Sequence, residues 1–497
     1  MSRIRQFAGQ TLTYGIGHIL SRILFYLLIT VYLTYRIKDQ YQYGVYTDIY
    51  AYVTVLIVLF SMRLDTAFFR FGNKSEQRNA AFGSAWLPMI LSSALIIVLG
   101  FSLDDFFASL LLYPDSPHYV RWFSIILAFD ILSLLPFAKL RLENKARLFV
   151  LAKVFNVLFT IGLVLFFLEI IPRSSLKDAH WLPQYSFDID YVFLSNLVAS
   201  VAVFLLVILF AKPAGIKFNP SLMKKMLYYA FPLVIVGICG SFNQYFAVPL
   251  QKYFLGEDVV NNIAQGGVYG ASQKIASIFL LFTTAFNYAA EPFFFNNSKE
   301  EDRKELYGKI CRLFVLIGGI LILTIYLGID LFQFLVDGSL RDAIHIVPIL
   351  LMAYLFLGIY YNVAIWYKLS DKTFYGALVS FIGVIITFSI SIIYLPKVGY
   401  VASAWAALIT FGVMVVIVYV LGRKHFPIPY PVKKILGSIL ILFSVIAISY
   451  LAGRYFSKSI QYAVNASLFI SYLYYAWVSE KQEWLGIVIG NKSRDDL

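Results

Sequence analysis

The chain has 497 residues, of which 60% are hydrophobic and 14% charged, with a mean hydropathy of +0.75. Soluble domains carry about 25% charged residues and do not set apolar runs of about 20 end to end, so a soluble enzyme or binding module is excluded. The net charge of +13 would suggest a nucleic-acid partner in a soluble chain. In a membrane chain it follows from the surplus of Lys and Arg in cytoplasmic loops, and no nucleic acid is expected.

Arg3 and Arg5 precede an apolar segment over 8–34, too long for a signal-peptide core and without a small-residue cleavage site. It is the first expected span. Thr11, Tyr14, His18, Arg22 and Tyr26 recur within it every three or four positions, which places them on one helical face. A charge so deep is costly unless it faces protein or water, so this face is expected to line a cavity. The second stretch, Gly44 to Phe71, carries Asp48 near one end and Arg63 and Asp65 near the other.

Further spans are expected over 79–101, 118–139, 147–171 and 189–211, completing a first lobe over 1–211. A basic linker with prolines and glycine, 212–225, separates it from a second lobe over 226–422. That lobe has spans at 226–250, 266–290, 308–329, 344–367, 373–395 and 400–422, and two more lie within 423–478, at 432–452 and 459–478. A charged tail runs over 479–497. The expectation is an all-α polytopic membrane protein of about 14 crossings.

An even count puts both termini on one side. With both inside, roughly 27 Lys and Arg flank the spans on the cytoplasmic side against 10 outside, Lys252 among the latter. Arg312 falls in the cytoplasmic group as an ordinary flanking charge. The outer loops are short, the longest near Pro172 to Asp190, leaving no room for an extracellular catalytic domain.

Cys239 and Cys311 make no disulfide framework, and the five histidines have no metal-ligand spacing. No catalytic or cofactor motif is present, so the chain reads as a transporter rather than an enzyme. The candidates for function are the ionisable groups left inside spans. Arg22 is central in span one, and Lys274 lies on a polar face of span eight with Ser277, Thr284, Tyr288 and Glu291. A cavity with deep cations from both halves suits an anionic, phosphate-bearing substrate. Arg63 and Lys153 are shallow, and snorkelling to the interface is their simpler reading. Asp48, Asp130 and Glu291 are candidates for coupling to H+ or Na+. Two halves with polar-bearing spans suggest an internal repeat, and Gly44-Val45-Tyr46 indeed recurs as Gly267-Val268-Tyr269.

Several of these motifs carry a family resemblance. Tyr14-Gly15, Ser21-Arg22, Tyr43-Gly44-Val45-Tyr46 and Asp65-Thr66-Ala67-Phe68-Phe69-Arg70-Phe71 resemble polysaccharide transporters of the multidrug/oligosaccharidyl-lipid/polysaccharide flippase superfamily. Tyr269-Gly270-Ala271-Ser272-Gln273-Lys274 and the run from Ala285 to Phe293 are similar to the same family. The resemblance implies two six-helix lobes around a cavity that opens alternately to each side, followed by two C-terminal helices. It implies an undecaprenyl-diphosphate-linked oligosaccharide, for O-antigen, capsule or exopolysaccharide, flipped across a bacterial inner membrane alongside polymerase or ligase machinery. His18, Arg22, Arg63, Gln273, Lys274 and Tyr288 are then the expected cavity residues. Where the family tends to have glycine before the acid of span two, this chain has Arg63. A drug or cation exporter of the same superfamily would favour acids over Arg22 and Lys274. A membrane-embedded glycan polymerase or ligase would need a larger polar loop or a paired-acid site.

Overall fold

The computed structural model describes residues 26, 31–73, 75–174, 184–213, 217–256, 258–296, 303–370 and 372–480, with the backbone alone for 75, 76, 288–296, 303 and 368. The described residues are helical, and no strand occurs among them. Lipid offers the backbone no hydrogen bonds, so each crossing must satisfy its own amides within a helix. In chain order the helices are α1 (Tyr32–Arg36), α2 (Gln40–Ser61), α3 (Leu64–Phe71), α4 (Ser75–Ser102), α5 (Asp104–Leu110), α6 (Pro117–Leu142), α7 (Ala146–Leu165) and α8 (Asp188–Ala211). There follow α9 (Pro220–Tyr245), α10 (Ala247–Phe254), α11 (Val259–Asn296), α12 (Arg303–Leu327), α13 (Val347–Val363), α14 (Ile365–Leu369), α15 (Phe374–Val398), α16 (Val401–His425), α17 (Val432–Tyr455) and α18 (Lys458–Ser479).

Eleven of the described segments are long and apolar enough to cross a membrane. Helices α11 and α18 are of spanning length but more polar, and the expected first span falls mostly outside the described residues. Helix starts follow local chemistry. Asp39 caps α2 by accepting from Tyr41 N at 2.9 Å, and Asn219 caps α9 by accepting from Leu222 N at 3.0 Å, with Pro220 in the first turn.

Helices α4, α6, α7 and α8 pack as one group, and α9, α13, α15 and α16 as another. Helix α6 is the most buried span of the first group and α13 of the second. Helices α17 and α18 form a hairpin against α12. The groups meet chiefly along α2, which runs beside α11 and α9.

Three expected spans are interrupted, the one over 344–367 by a turn at Ala364 between α13 and α14. Span two stops at Ser61, where Met62 (φ 50°) and Arg63 (φ 51°) are both left-handed, and resumes as α3. Non-glycine residues pay about 1–2 kcal/mol each for that conformation, so the break is held by its surroundings. Span seven ends at Tyr245, and α10 follows after a turn at Phe246. Lys252 lies on α10, inside the protein, and not in the outer loop expected of it.

Candidate functional site

The line of contact between α2 and α11 begins at the repeated triplets. A Cβ on Gly267 would stand 2.7 Å from Gly44 N, and one on Gly270 would stand 2.7 Å from Thr47 Cγ2. Glycine at these positions lets two parallel helices touch through their backbones, as small residues do in membrane packing. The sequence echo thus marks the contact between the halves.

One turn further along α2 lies Asp48. Its Oδ2 accepts from Lys252 Nζ of α10 at 2.5 Å and from Tyr113 OH at 2.8 Å. Neither Asp48 nor Lys252 has any exposed side-chain surface. The ammonium also donates to Leu111 O at 2.9 Å and lies 4.7–5.2 Å from the ring centres of Tyr113, Tyr52 and Tyr253. Aromatic faces attract a cation, more so when water is absent. Asp48 Oδ1 has no hydrogen-bond partner among the described residues. Helix α10 is tied to the second group as well, through Gln251 Nε2 donating to Ser403 Oγ of α16 at 2.9 Å. The pair therefore spans the junction of the two groups.

Deeper along the same line, Lys274 of α11 lies 6.0 Å from the ring centre of Tyr46 on α2, while Tyr26 OH of the first expected span donates to Lys274 O at 2.7 Å. No described carboxylate pairs with the Lys274 ammonium. Gln273 turns the other way. Its Nε2 donates to Tyr354 OH at 2.9 Å, so it ties α11 to α13 within the second group rather than facing Lys274's side. Arg63 sits in the break of span two against α9, where a Cβ on Gly237 would stand 2.8 Å from Arg63 Nη2. This is a packed, half-buried position beside the second group. Asp130 is inside the first group, with Ser200 in hydrogen-bonding reach and Lys153 near enough to interact electrostatically. His18 and Arg22 lie outside the described residues, and Tyr288 and Glu291 fall where only the α11 backbone is described.

The structure thus brings Lys274 to the junction, leaves Asp130 and Gln273 inside separate groups, and adds Lys252, which sequence reasoning missed. The missed signal was Asp48 itself, an acid in an apolar helix that required a cation from elsewhere.

A family model described as a polysaccharide biosynthesis protein matches residues 8–298. No curated protein matches the sequence. Among solved structures, the lipid II flippase MurJ in an inward closed conformation superposes with a TM-score of 0.66 at 14% identity, covering 94% of this chain and 99% of that one. An inward-facing multidrug-resistance MATE transporter of the MOP superfamily gives 0.63 at 12% identity, covering 81% and 93%. A MOP-superfamily transporter from Pyrococcus furiosus gives 0.60 at 14% identity, covering 84% and 95%. These likenesses establish the fold, and the family match extends over more than half of the chain. The chain belongs to the polysaccharide biosynthesis protein family and has the fold of the MOP-superfamily transporters.

Proposed function

We propose that this protein is an alternating-access flippase that moves an undecaprenyl-diphosphate-linked oligosaccharide from the cytoplasmic to the outer leaflet of a bacterial inner membrane. Both termini lie in the cytoplasm, so the Gly44–Gly267 contact and the Asp48–Lys252 pair sit toward the outer face. Residues 1–211 and 226–422 act as the two lobes, joined by 212–225, with 423–478 as an appended hairpin. The reading rests on the family, whose description concerns polysaccharide synthesis, and on one observation above all. Lys274 presents a cation at the lobe junction with no described carboxylate to neutralise it.

A half-buried cation with no described carboxylate beside it is unfavourable inside a membrane unless an anion visits it. A diphosphate is such a visitor, and charge-assisted hydrogen bonds to phosphate are among the stronger polar contacts. Arg22 supplies the second cation from span one. His18, Arg63 and Tyr288 line the route, and Gln273 supports it from behind through Tyr354. The outer face opens only when the Asp48–Lys252 pair separates, so Asp48 serves the conformational cycle before it can serve as an ion carrier. Asp130, with Ser200 and Lys153 beside it, is the better site for H+ coupling, and Glu291 is the remaining coupling residue. Polysaccharide polymerase or ligase enzymes act on the delivered unit.

Export scored in a deletion strain at matched protein level tests the substrate site. Lys274→Ala should reduce export severely, and Lys274→Arg should retain much of it because the charge survives. Arg22→Ala should be comparably harmful, with membrane insertion intact. Near-normal export by the Arg22→Ala, Lys274→Ala double variant would remove the diphosphate site. Loss of the lipid-linked unit before its completion, rather than its accumulation, would point to an enzyme instead. For coupling, Asp130→Asn should change the pH dependence of transport, and an unchanged profile at full activity would make Asp130 a packing residue.

A further inference from the structure

Between α2, α4, α5 and α6, within the first group of helices, lies a cavity of about 360 Å³. Its wall includes Val53, Leu56 and Phe60 on one face of α2, Leu99 of α4, and Val120 and Leu127 of α6. Three of the five hydroxyls in the wall are engaged, and Tyr52 OH has no hydrogen-bond partner among the described residues. Tyr113 OH donates to Asp48 at 2.8 Å, Tyr119 OH to Asp190 at 2.6 Å, and Ser124 Oγ to Arg121 O at 2.7 Å. The rest of the wall is ring and aliphatic surface, with no charged group.

Such a space does not hold water, because water needs two to four polar partners. A dry apolar cavity of about 150 Å³ already takes up benzene. This one is more than twice that size, which suits a length of chain rather than a single ring. It lies beside α5, a short helix that exposes Phe106 and Leu110 and is pinned to α6 by the Asp104–Arg121 ion pair. A short helix with exposed apolar residues and a paired charge belongs at the membrane interface. The solvent beside such a helix is hydrocarbon, which would gain dispersion contacts in the cavity without stripping water from any polar group.

We propose that this cavity binds one acyl chain of a bilayer phospholipid from the leaflet on the Asp48–Lys252 side. No charged residue lines it, and Arg121, next to the lining Val120, is committed to Asp104. Recognition is therefore of the chain, and a diphosphate headgroup would meet no unpaired cation in the wall. Tyr52 and Tyr113 line the cavity and also face Lys252 with their rings. A seated chain holds both rings in place and so stabilises the closed junction. The cavity adjoins the Asp48–Lys252 pair through these two rings, and it does not depend on the substrate reading.

The test uses the full chain in phosphatidylethanolamine–phosphatidylglycerol vesicles with a trace of phospholipid carrying a mid-chain diazirine. Irradiation should place adducts on the α2 and α6 wall peptides of the wild-type protein. Val120→Trp, which fills the cavity, should lose these adducts and keep those on the lipid-facing residues Leu205 and Leu209 of α8. Adding phospholipid to delipidated protein should raise the unfolding temperature of wild type and not of Val120→Trp. Adducts confined to α8-type exposed positions in wild type would overturn the proposal, whether or not the variant folds. So would wall adducts that survive in both Val120→Trp and Leu56→Trp. Displacement of the wall label by a polyprenyl phosphate, with none by unlabelled phospholipid, would overturn the assignment to an acyl chain.

Discussion

Two fully enclosed cations hold this molecule together in different ways. Lys252 meets a single carboxylate across the lobe junction, with three aromatic rings around it and one Asp48 oxygen left without a partner. Arg312, on α12, uses all three guanidinium nitrogens. It donates to Lys434 O at 2.8 Å, to Ser438 Oγ, to Tyr475 OH at 3.1 Å and to Glu480 Oε1 at 3.4 Å, fastening the α17–α18 hairpin. Arginine's rigid fork suits a joint that stays shut. Lysine's point charge on a flexible stem, with one carboxylate and one carbonyl as partners, suits a joint that would part in the proposed cycle. On the proposed transport cycle, the chemistry of the cation would separate a moving seam from a permanent one.

The sharpest way to break this contrast is Lys252→Ala. It leaves Asp48 charged and buried, so it should destabilise the protein by about 3–5 kcal/mol in detergent unfolding experiments. The Asp48→Leu, Lys252→Met double variant should recover most of that stability, since apolar replacement of a buried pair is often neutral or better. It should nevertheless export poorly, because the seam no longer has a polar contact to exchange. Full export by the double variant would remove the pair from the transport cycle.

Arg312→Lys comes next. Losing the fork while keeping the charge should cost about 1.5–3 kcal/mol, with export falling only as far as protein abundance does. A loss of export per molecule would show that the hairpin joint moves after all.

Met62→Gly probes the break in span two. Glycine adopts the left-handed region freely, so unfolding should become harder by about 1 kcal/mol. Destabilisation would mean that Met62's packing outweighs its backbone cost.

The smallest effect is expected at Glu143, which pairs with Lys145 at 2.7 Å and Lys139 at 3.5 Å in the loop after α6. Burial raises its pKa, but the two lysines outweigh that and hold it below the ordinary glutamate value. A depressed folded-state pKa contributes stability above the unfolded value of about 4.3, lost as pH falls through the folded one. Wild type should therefore lose slightly more unfolding temperature than Glu143→Gln as pH drops below that value. Equal slopes would reduce this solvent-screened pair to no measurable contribution.

Much of the fold was legible because lipid imposes length and apolarity on each crossing. Lys274 was legible for the same reason, as a charge set deep within an apolar helix. The Gly44 and Gly267 triplets were legible as a repeat, and their meaning became clear once they lay against each other. Lys252 was not legible. It falls at the end of an apolar run, where positive charge ordinarily marks a loop, and its partner is 204 positions away. Arg312 was misread for a related reason. Counting it among flanking charges gives the orientation expected of a loop and hides that it is enclosed. The break after Ser61 left no glycine or proline at the interruption, so periodicity carried straight through it, whereas Pro249, with no N–H for Tyr245 O four residues back, was a readable sign of the second.

Helix α11 runs unbroken for 38 residues, about 57 Å at 1.5 Å per residue and well beyond the roughly 30 Å of hydrocarbon it crosses. It meets the backbone of α2 closely near one end, at Ile263 and Gly267. From there to Asn296 the arm measures about 43 Å, so a tilt of about 10° at the glycine contact would carry the far end about 7 Å. In the proposed cycle the glycine pair would serve as a fulcrum, and α11 as a lever whose long arm is on the other side. A small adjustment where the two glycines meet would be amplified into a displacement wider than a sugar ring, with no bending of the helix itself.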